Sequence, residues 1–155
     1  MKLLQQRPYQ CGQTCVAMIA GVNIDEATRA CGCVRNTGSE MLRKALYKFG
    51  IESKPLQRIA KGQMIPEELP GLCICLIHFG QKYFTHWTIW NGKEKCWYDP
   101  SNRGAILDAK FYEHYNLRDE FLPIWVTSYI EITSPVSDRY LKLKLKTANC
   151  GSGSL

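Results

Sequence analysis

Apolar residues recur at helical spacing through the first third of the chain. The largely apolar stretch 11–20 is followed by Gly21, and glycine is a common helix stop. A shorter helix is predicted over 23–33. A third helix is predicted over 41–49, where apolar positions repeat three and four residues apart. Three helices with short connections are therefore expected.

The second and third predicted helices carry end signals of their own. Asn23 or Asp25 can cap the second helix, and Gly32 can end it. The stretch 37–40 has the pattern of a capping box, in which a hydroxyl and a carboxylate satisfy the first backbone N–H groups. Gly50 closes the third helix.

After residue 50 the pattern becomes that of β-strands. The continuous apolar run 72–78 predicts a buried central strand. Asn91-Gly92 is a strong hairpin signal between strands over 83–90 and 93–98. The other predicted elements are a helical turn over 107–115 and strands over 124–132 and 141–146. Helices followed by antiparallel strands indicate an α+β fold, with the N-terminal helices packed on an antiparallel β-sheet.

The composition is that of one globular domain. The chain has 155 residues, of which 45% are hydrophobic and 11% aromatic, and this is enough to bury a core. The domain is predicted to span 1–149, and the stretch 150–155 to be a flexible tail or linker. No apolar run reaches the ~20 residues of a membrane span, and no secretory signal is found.

The charge pattern and the cysteine content indicate which binding partners and which cellular compartment to expect. The formal net charge is +6, but the basic residues are scattered and form no nucleic-acid-binding motif. The eight cysteines are interpreted as mostly free thiols in a reducing environment. We expect a cytoplasmic protein that binds neither nucleic acid nor membrane and needs no cofactor.

Cys11 has the sequence context of a nucleophile. It opens the first predicted helix, where the positive end of the helix dipole favours the thiolate, the form that attacks carbonyl groups. A nucleophile also needs a base, an orienting group for that base and donors for the oxyanion.

The base and its orienting carboxylate are predicted on the hairpin. If Asn91-Gly92 is a two-residue loop, His86 lies opposite Trp97, and Asp99 is its diagonal neighbour on the same face. A carboxylate in that place can hold the imidazole in one tautomer and stabilise its protonated form. A bulge would put Asp99 on the wrong face.

A glutamine can supply the oxyanion donor. Gln5 lies six residues before Cys11, and its side-chain amide can act together with the backbone N–H of the cysteine. Three other glutamines compete for this role: Gln6, Gln10 and Gln13.

Taken in order, these motifs resemble the papain-like cysteine peptidases, and more closely the bacteriocin-processing, or double-glycine leader, peptidases and their stand-alone relatives. The resemblance covers roughly residues 3–115. It is carried by Gln5 with Cys11-Gly12, by Thr37-Gly38-Ser39 with Leu42, Ala45 and Gly50, by Leu69-Pro70, by His86-Trp87-Thr88-Ile89, and by Asp99-Pro100 with Gly104 and Phe111. It departs from the family pattern at Gln10, where an acidic residue is usual.

The resemblance implies a papain-like fold and a role for each site residue. Cys11 would form the thioester, His86 would act as base and then as acid, Asp99 would orient His86, and Gln5 would complete the oxyanion hole. The substrate would be a peptide or protein cut after small residues of the Gly-Gly type. Large aromatic side chains would line the substrate cleft, with Trp87 and Tyr83 as candidates.

Other chemistry-bearing residues have simpler interpretations. Cys15, one turn after Cys11, is expected in the core, with a disulfide to Cys11 as the lesser alternative. No metal site is expected, because the Cys-x-Cys pairs at 31/33 and 73/75 are too closely spaced for a typical zinc knuckle. His78 and His114 are interpreted as structural, and Trp87 can equally well serve packing.

Two other functions are compatible with the same candidate residues. A deamidase, a transglutaminase-like enzyme or an amide synthase would use the same acyl-enzyme with a different acceptor. A catalytically silent module that binds a peptide or partner would need the fold without the chemistry, and an intact set of four groups argues against it.

Overall fold

Three helices precede a six-stranded antiparallel sheet in the computed structural model of the chain, which describes residues 1–60, 69–79, 84–101, 105–107 and 124–134. The helices are α1 (Cys11–Ala20), α2 (Ile24–Cys31) and α3 (Ser39–Lys48). The strands are β1 (Gln57–Arg58), β2 (Leu72–Phe79), β3 (Phe84–Asn91), β4 (Cys96–Tyr98), β5 (Ala105–Leu107) and β6 (Ile124–Glu131). The predicted α+β class is confirmed.

The order of the strands in the sheet is β1-β6-β2-β3-β4-β5, and every neighbouring pair is antiparallel. The last described strand, β6, therefore lies between β1 and β2. A bulge in the pairing of β2 with β6 falls between Leu76 and Ile77. The apolar run predicted as a central strand is β2, which is paired on both edges.

Helix ends follow the sequence signals at α1 and α2. Gly21 and Gly32 follow the two helices with left-handed φ values of 66° and 74°, a conformation that glycine adopts without a Cβ clash. Asn23 and Glu26 form a reciprocal capping box at the start of α2. The capping box predicted over 37–40 is wrong, because Gly38 is the N-cap of α3 and no side chain caps it.

The core lies mainly between the helices and the sheet. α1 packs on β3, and its residues after Cys11 are all buried. Side chains alternate along the strands, so Ile74 and Ile89 join the core formed with the helices, while Cys73, Cys75 and Trp90 belong to a second apolar cluster. Among the described helices, none is long and apolar enough to cross a membrane.

Some predictions fall on residues outside the described ranges. These are the helical turn over 108–115, the strand over 141–146, the tail 150–155, and the side chains of Tyr83 and His114. Leu107, predicted to begin the helical turn, instead ends β5.

Candidate active site

Cys11 is the first residue of α1, as the sequence predicts. Gln10 is the N-cap and makes no capping hydrogen bond, and the first turn contains no acidic residue. The dipole of the helix therefore acts on the thiol without a competing carboxylate in that turn. Cys11 is half-buried, whereas the rest of the helix is buried. Cys11 is thus the partly exposed first residue of an otherwise buried helix.

His86 lies on β3 between the thiol and a carboxylate. Its Nε2 atom is 2.7 Å from Oδ1 of Asp99. The side chains of His86 and Cys11 each shift the pKa of the other, so the thiol lies close to the imidazole. The three predicted catalytic side chains are thus contiguous, with the imidazole in the middle.

The hairpin brings His86 and Asp99 together through a register that differs from the predicted one. The predicted two-residue loop is wrong: β3 ends at Asn91 and β4 begins at Cys96, so four residues form the turn. Trp90 therefore pairs with Trp97. Two added residues preserve the alternation of faces, because side chains repeat every second residue. His86 and Asp99 consequently stay on one face.

The carboxylate of Asp99 is fully buried and held mainly through one oxygen. Its exposed fraction is 0%. Oδ1 accepts hydrogen bonds from the backbone N–H and the Oγ–H of Ser101, each at 2.7 Å, in addition to its contact with His86. Oδ2 has no hydrogen-bond partner among the described residues. Ser101 therefore fixes which oxygen faces the imidazole, a role that the sequence analysis missed although Asp-x-Ser is a common turn pattern.

The electrostatics favour a thiolate–imidazolium pair. Burial raises the pKa of Cys11, but the hydrogen bond and charge of His86 and the backbone N–H groups of Trp87 and Gly12 bring the net pKa below that of an ordinary thiol. Burial lowers the pKa of His86, yet hydrogen bonds to Asp99 and Cys11 raise it to about 9. Each partner stabilises the charged form of the other.

The pKa of Asp99 keeps this carboxyl group ionised despite its burial. Desolvation raises the value, but the hydrogen bond and charge of His86 and the two donors of Ser101 lower it below that of an ordinary carboxyl. The negative charge that stabilises the imidazolium is therefore present at neutral pH.

Two of the four candidate oxyanion glutamines are engaged elsewhere. The side-chain amides of Gln10 and Gln13 donate to backbone carbonyls of residues 33–35. Gln5 is exposed, and Gln6 is half-buried with its backbone N–H bonded to the carbonyl of Pro100 at 2.8 Å. That bond joins the segment before Cys11 to the turn after Asp99.

Gly12 and Trp87, which directly follow Cys11 and His86 in the sequence, pack tightly against each other. A Cβ atom on Gly12 would lie 2.9 Å from Cδ2 of Leu42 and 3.1 Å from Cδ1 of Trp87, and would clash with Oγ1 of Thr37. Trp87 is only 6% exposed, and its Nε1–H donates to the carbonyl of Thr37 at 3.0 Å. The structure gives Trp87 a packing role, and its predicted contact with substrate stays a prediction.

The other described cysteines have the character of core residues. All seven cysteines in the described ranges are free thiols. Burial raises the pKa of Cys15, Cys31 and Cys75, the value for Cys31 reaching about 12. No group of potential metal ligands occurs within the described part of the chain. Cys11 is thus distinguished by a lowered pKa and partial exposure.

The architecture and the arrangement of its site define an α+β fold of the papain-like kind. Among solved structures, the chain is similar to the peptidase domain of Streptococcus ComA, a bi-functional ABC transporter involved in a quorum-sensing pathway. The TM-score is 0.56 with 16% sequence identity, and the match covers 84% of this chain and 96% of that domain. At this identity the likeness establishes a shared fold. No family model matches the sequence, and no curated protein matches it.

Proposed function

We propose that the chain is a cysteine peptidase that hydrolyses a peptide or isopeptide bond through a thioester on Cys11. The observation that carries the proposal is the imidazole of His86, whose Nε2 atom is 2.7 Å from Oδ1 of Asp99 and which lowers the pKa of a thiol at a helix N-terminus. A buried carboxylate, a histidine and an activated thiol in this order are the parts that acyl transfer requires. The shared fold with a peptidase domain supports the same reaction class.

The reaction proceeds in two balanced steps. The thiolate of Cys11 attacks the carbonyl carbon, and the protonated His86 gives its proton to the leaving amine as the C–N bond breaks. Neutral His86 then takes a proton from water, whose oxygen attacks the thioester and releases the acid and the thiolate of Cys11, so that the starting thiolate and protonated His86 are restored. Asp99 remains ionised and stabilises His86 whenever the imidazole is protonated.

Gln5 is proposed as the oxyanion donor, together with the backbone N–H of Cys11. Gln10 and Gln13 already donate to carbonyl oxygens, which supports assigning the role to the segment preceding the nucleophile. The exposed Gln5 has a side chain that can turn into the cleft, and the bond from Gln6 to Pro100 holds this segment near Asp99.

The sequence resemblance supports a substrate with small residues, of the Gly-Gly type, before the scissile bond. Tyr83 and Trp87 are the proposed aromatic contacts of that substrate. A reducing, cytoplasmic location is proposed because the mechanism needs Cys11 as a free thiol.

The test is mass spectrometry of peptides that contain Gly-Gly, Gly-Ala or Gly-Ser, incubated with the wild type and with Cys11→Ala. We expect chain cleavage by the wild type and none by the variant, with both proteins equally folded by circular dichroism. Cleavage by folded Cys11→Ala would rule out the nucleophile. A deamidated or crosslinked product in place of a chain break would move the function to the related acyl-transfer enzymes.

A further inference from the structure

The strand that carries His86 also carries an exposed phenylalanine. Phe84 is the first residue of β3 and lies two positions before His86. Side chains two residues apart on a strand point to the same face of the sheet. Phe84 is 58% exposed, whereas His86 is 6% exposed. An aromatic ring that is open to solvent therefore lies on the same face of the sheet as the imidazole.

Phe79 on the neighbouring strand β2 connects these two rings. Phe79 is paired with Phe84 and Ile77 with His86, so Phe79 is the diagonal neighbour of the imidazole. The ring centroid of Phe79 is 5.8 Å from that of Phe84 and 6.3 Å from that of His86, and both are contact distances for aromatic rings. Phe79 is only 5% exposed. The three rings form a row that begins at the imidazole and ends in solvent at Phe84.

Asp99 and Phe84 lie on opposite sides of His86 along β3. Tyr98 is paired with Ile89, so Asp99, the next residue of the chain, approaches β3 on the side that follows His86. Phe84 precedes His86 on the same strand. The carboxylate that orients the imidazole therefore does not separate the imidazole from the exposed ring.

The chemistry of the proposed reaction indicates which part of a substrate lies beside this ring. Protonated His86 gives its proton to the leaving amine, so the nitrogen of the residue after the scissile bond must come within hydrogen-bond distance of the imidazole. Residues two apart on a strand have Cα atoms about 7 Å apart. A side chain of the size of leucine, attached next to that nitrogen, can therefore reach the ring of Phe84. The acyl half of the substrate instead extends from Cys11.

We propose that Phe84 is a specificity-determining residue that contacts the side chain of the first residue after the scissile bond and favours an apolar residue there. This inference rests on the proposed peptidase function and concerns the leaving half of the substrate. Contact with leucine removes apolar surface of both partners from water. A charged side chain in the same place loses hydration without gaining a partner. A single exposed apolar residue is ordinary in proteins, but Phe84 is linked to the imidazole through a buried ring.

The test is a competition among three peptides that differ only in the residue after Gly-Gly. Their sequence is acetyl-Ala-Leu-Gly-Gly-Xaa-Ala-Ser-amide, in which Xaa is leucine, alanine or lysine. Mass spectrometry of the products cleaved after Gly-Gly gives the ratios of kcat/KM among the peptides. All three react with the same Cys11 and His86, so these ratios are independent of any general effect of a substitution on the catalytic pair.

Three substitutions of Phe84 and two control variants are compared with the wild type. Phe84→Ala removes the ring, Phe84→Leu keeps an apolar side chain, and Phe84→Glu introduces a negative charge. Thr85→Ala alters the next residue of β3, which is exposed on the opposite face. Tyr47→Ala removes an aromatic side chain that is 78% exposed on α3.

We expect the wild type to prefer the leucine peptide over the alanine peptide by about fivefold to tenfold. Phe84→Ala should reduce this ratio to about twofold or less, and Phe84→Leu should retain most of it. Phe84→Glu should raise the ratio of lysine to leucine by at least about fivefold, because its carboxylate attracts the lysine side chain. Thr85→Ala and Tyr47→Ala should keep the ratios of the wild type.

Two results would overturn the contact with Phe84. One is a wild type that cleaves the leucine and alanine peptides equally well, and the other is a folded Phe84→Ala protein with the ratios of the wild type. If Phe84→Ala does not fold, an unchanged ratio of lysine to leucine in Phe84→Glu would overturn the inference instead.

Failure of the underlying function gives a different result. A wild-type protein that cleaves none of the three peptides would refute the peptidase, and the contact with it. Cleavage of the peptides with the same ratios in the wild type and in every variant would refute the contact alone.

Discussion

Substitution Gly12→Ala tests whether the residue after Cys11 must lack a side chain. The added Cβ would lie 2.9 Å from Leu42 and 3.1 Å from Trp87, and closer still to Thr37. Alanine favours helix by up to ~1 kcal/mol over glycine. Overpacking of a fixed core costs about 1–3 kcal/mol, and a displaced Trp87 would leave the carbonyl of Thr37 without its donor, at a further ~1 kcal/mol or more. We therefore expect a net loss of roughly 1–3 kcal/mol.

Urea unfolding followed by circular dichroism measures this loss, and a double-mutant cycle identifies its cause. Oγ1 of Thr37 is buried and has no hydrogen-bond partner among the described residues, so Thr37→Ala removes the nearest obstacle without breaking a bond of that atom. The double variant should be less destabilised than the sum of the single variants. Gly71→Ala is the control, because its Cβ would meet no heavy atom within 4 Å. A Gly12→Ala protein as stable as wild type, or strict additivity in the cycle, would refute the packing argument.

Three further predictions concern the charged groups. His86→Ala should slow alkylation of Cys11 by iodoacetamide at pH 6 by at least ~10-fold. The reason is that burial raises the pKa of the thiol and no imidazolium remains to lower it. An equal rate at pH 6 would show that the histidine does not activate the thiol. Ser101→Ala should move acid unfolding to higher pH, because the Ser101 hydroxyl helps to lower the pKa of Asp99. The ionised carboxylate stabilises the fold above the ordinary carboxyl range, and this stability is lost as the pH falls. The control Ser134→Ala removes a hydroxyl that accepts from a distant backbone N–H and should cause no such shift. The pKa of His86 is raised from 6.5 to about 9, so protonated His86 contributes stability that is complete below pH 6.5 and is lost as the pH rises through 9. In urea titrations, the difference in unfolding free energy between wild type and His86→Ala should therefore shrink between these two pH values. A difference that does not change with pH would contradict the raised pKa.

The helical part of the fold could be predicted from local signals. Gly21 and Gly32 mark the ends of α1 and α2 because left-handed backbone there is a local requirement. The capping box predicted over 37–40 failed for a nonlocal reason. Thr37 is packed against Gly12, and its carbonyl is bound by Trp87, so tertiary contacts fix its position and Gly38 becomes the N-cap.

That His86 and Asp99 lie on one face was predicted correctly in spite of an incorrect loop. Side chains on a strand alternate between the two faces, so His86 and Asp99 share a face whenever the turn contains an even number of residues. This holds for the observed four-residue turn as it does for the predicted two-residue turn. The contact of Ser101 with Asp99 was missed although Asp-x-Ser is a local turn pattern. The sequence could not show that Gln10 and Gln13 would donate to the backbone of residues 33–35, because those contacts depend on how the connection after α2 folds back on α1.

The order of the strands has a consequence for how the protein is made. β6 (Ile124–Glu131) pairs with both β1 and β2, so one edge of β2 stays unpaired until β6 has been synthesised. Pairings between such distant segments form slowly, and an unpaired apolar edge invites association with other chains. The helix with Cys11 precedes every described strand in the sequence, so it is synthesised before β6 can complete the pairing of β2. A nascent chain therefore has the thiol long before it has the sheet that activates it.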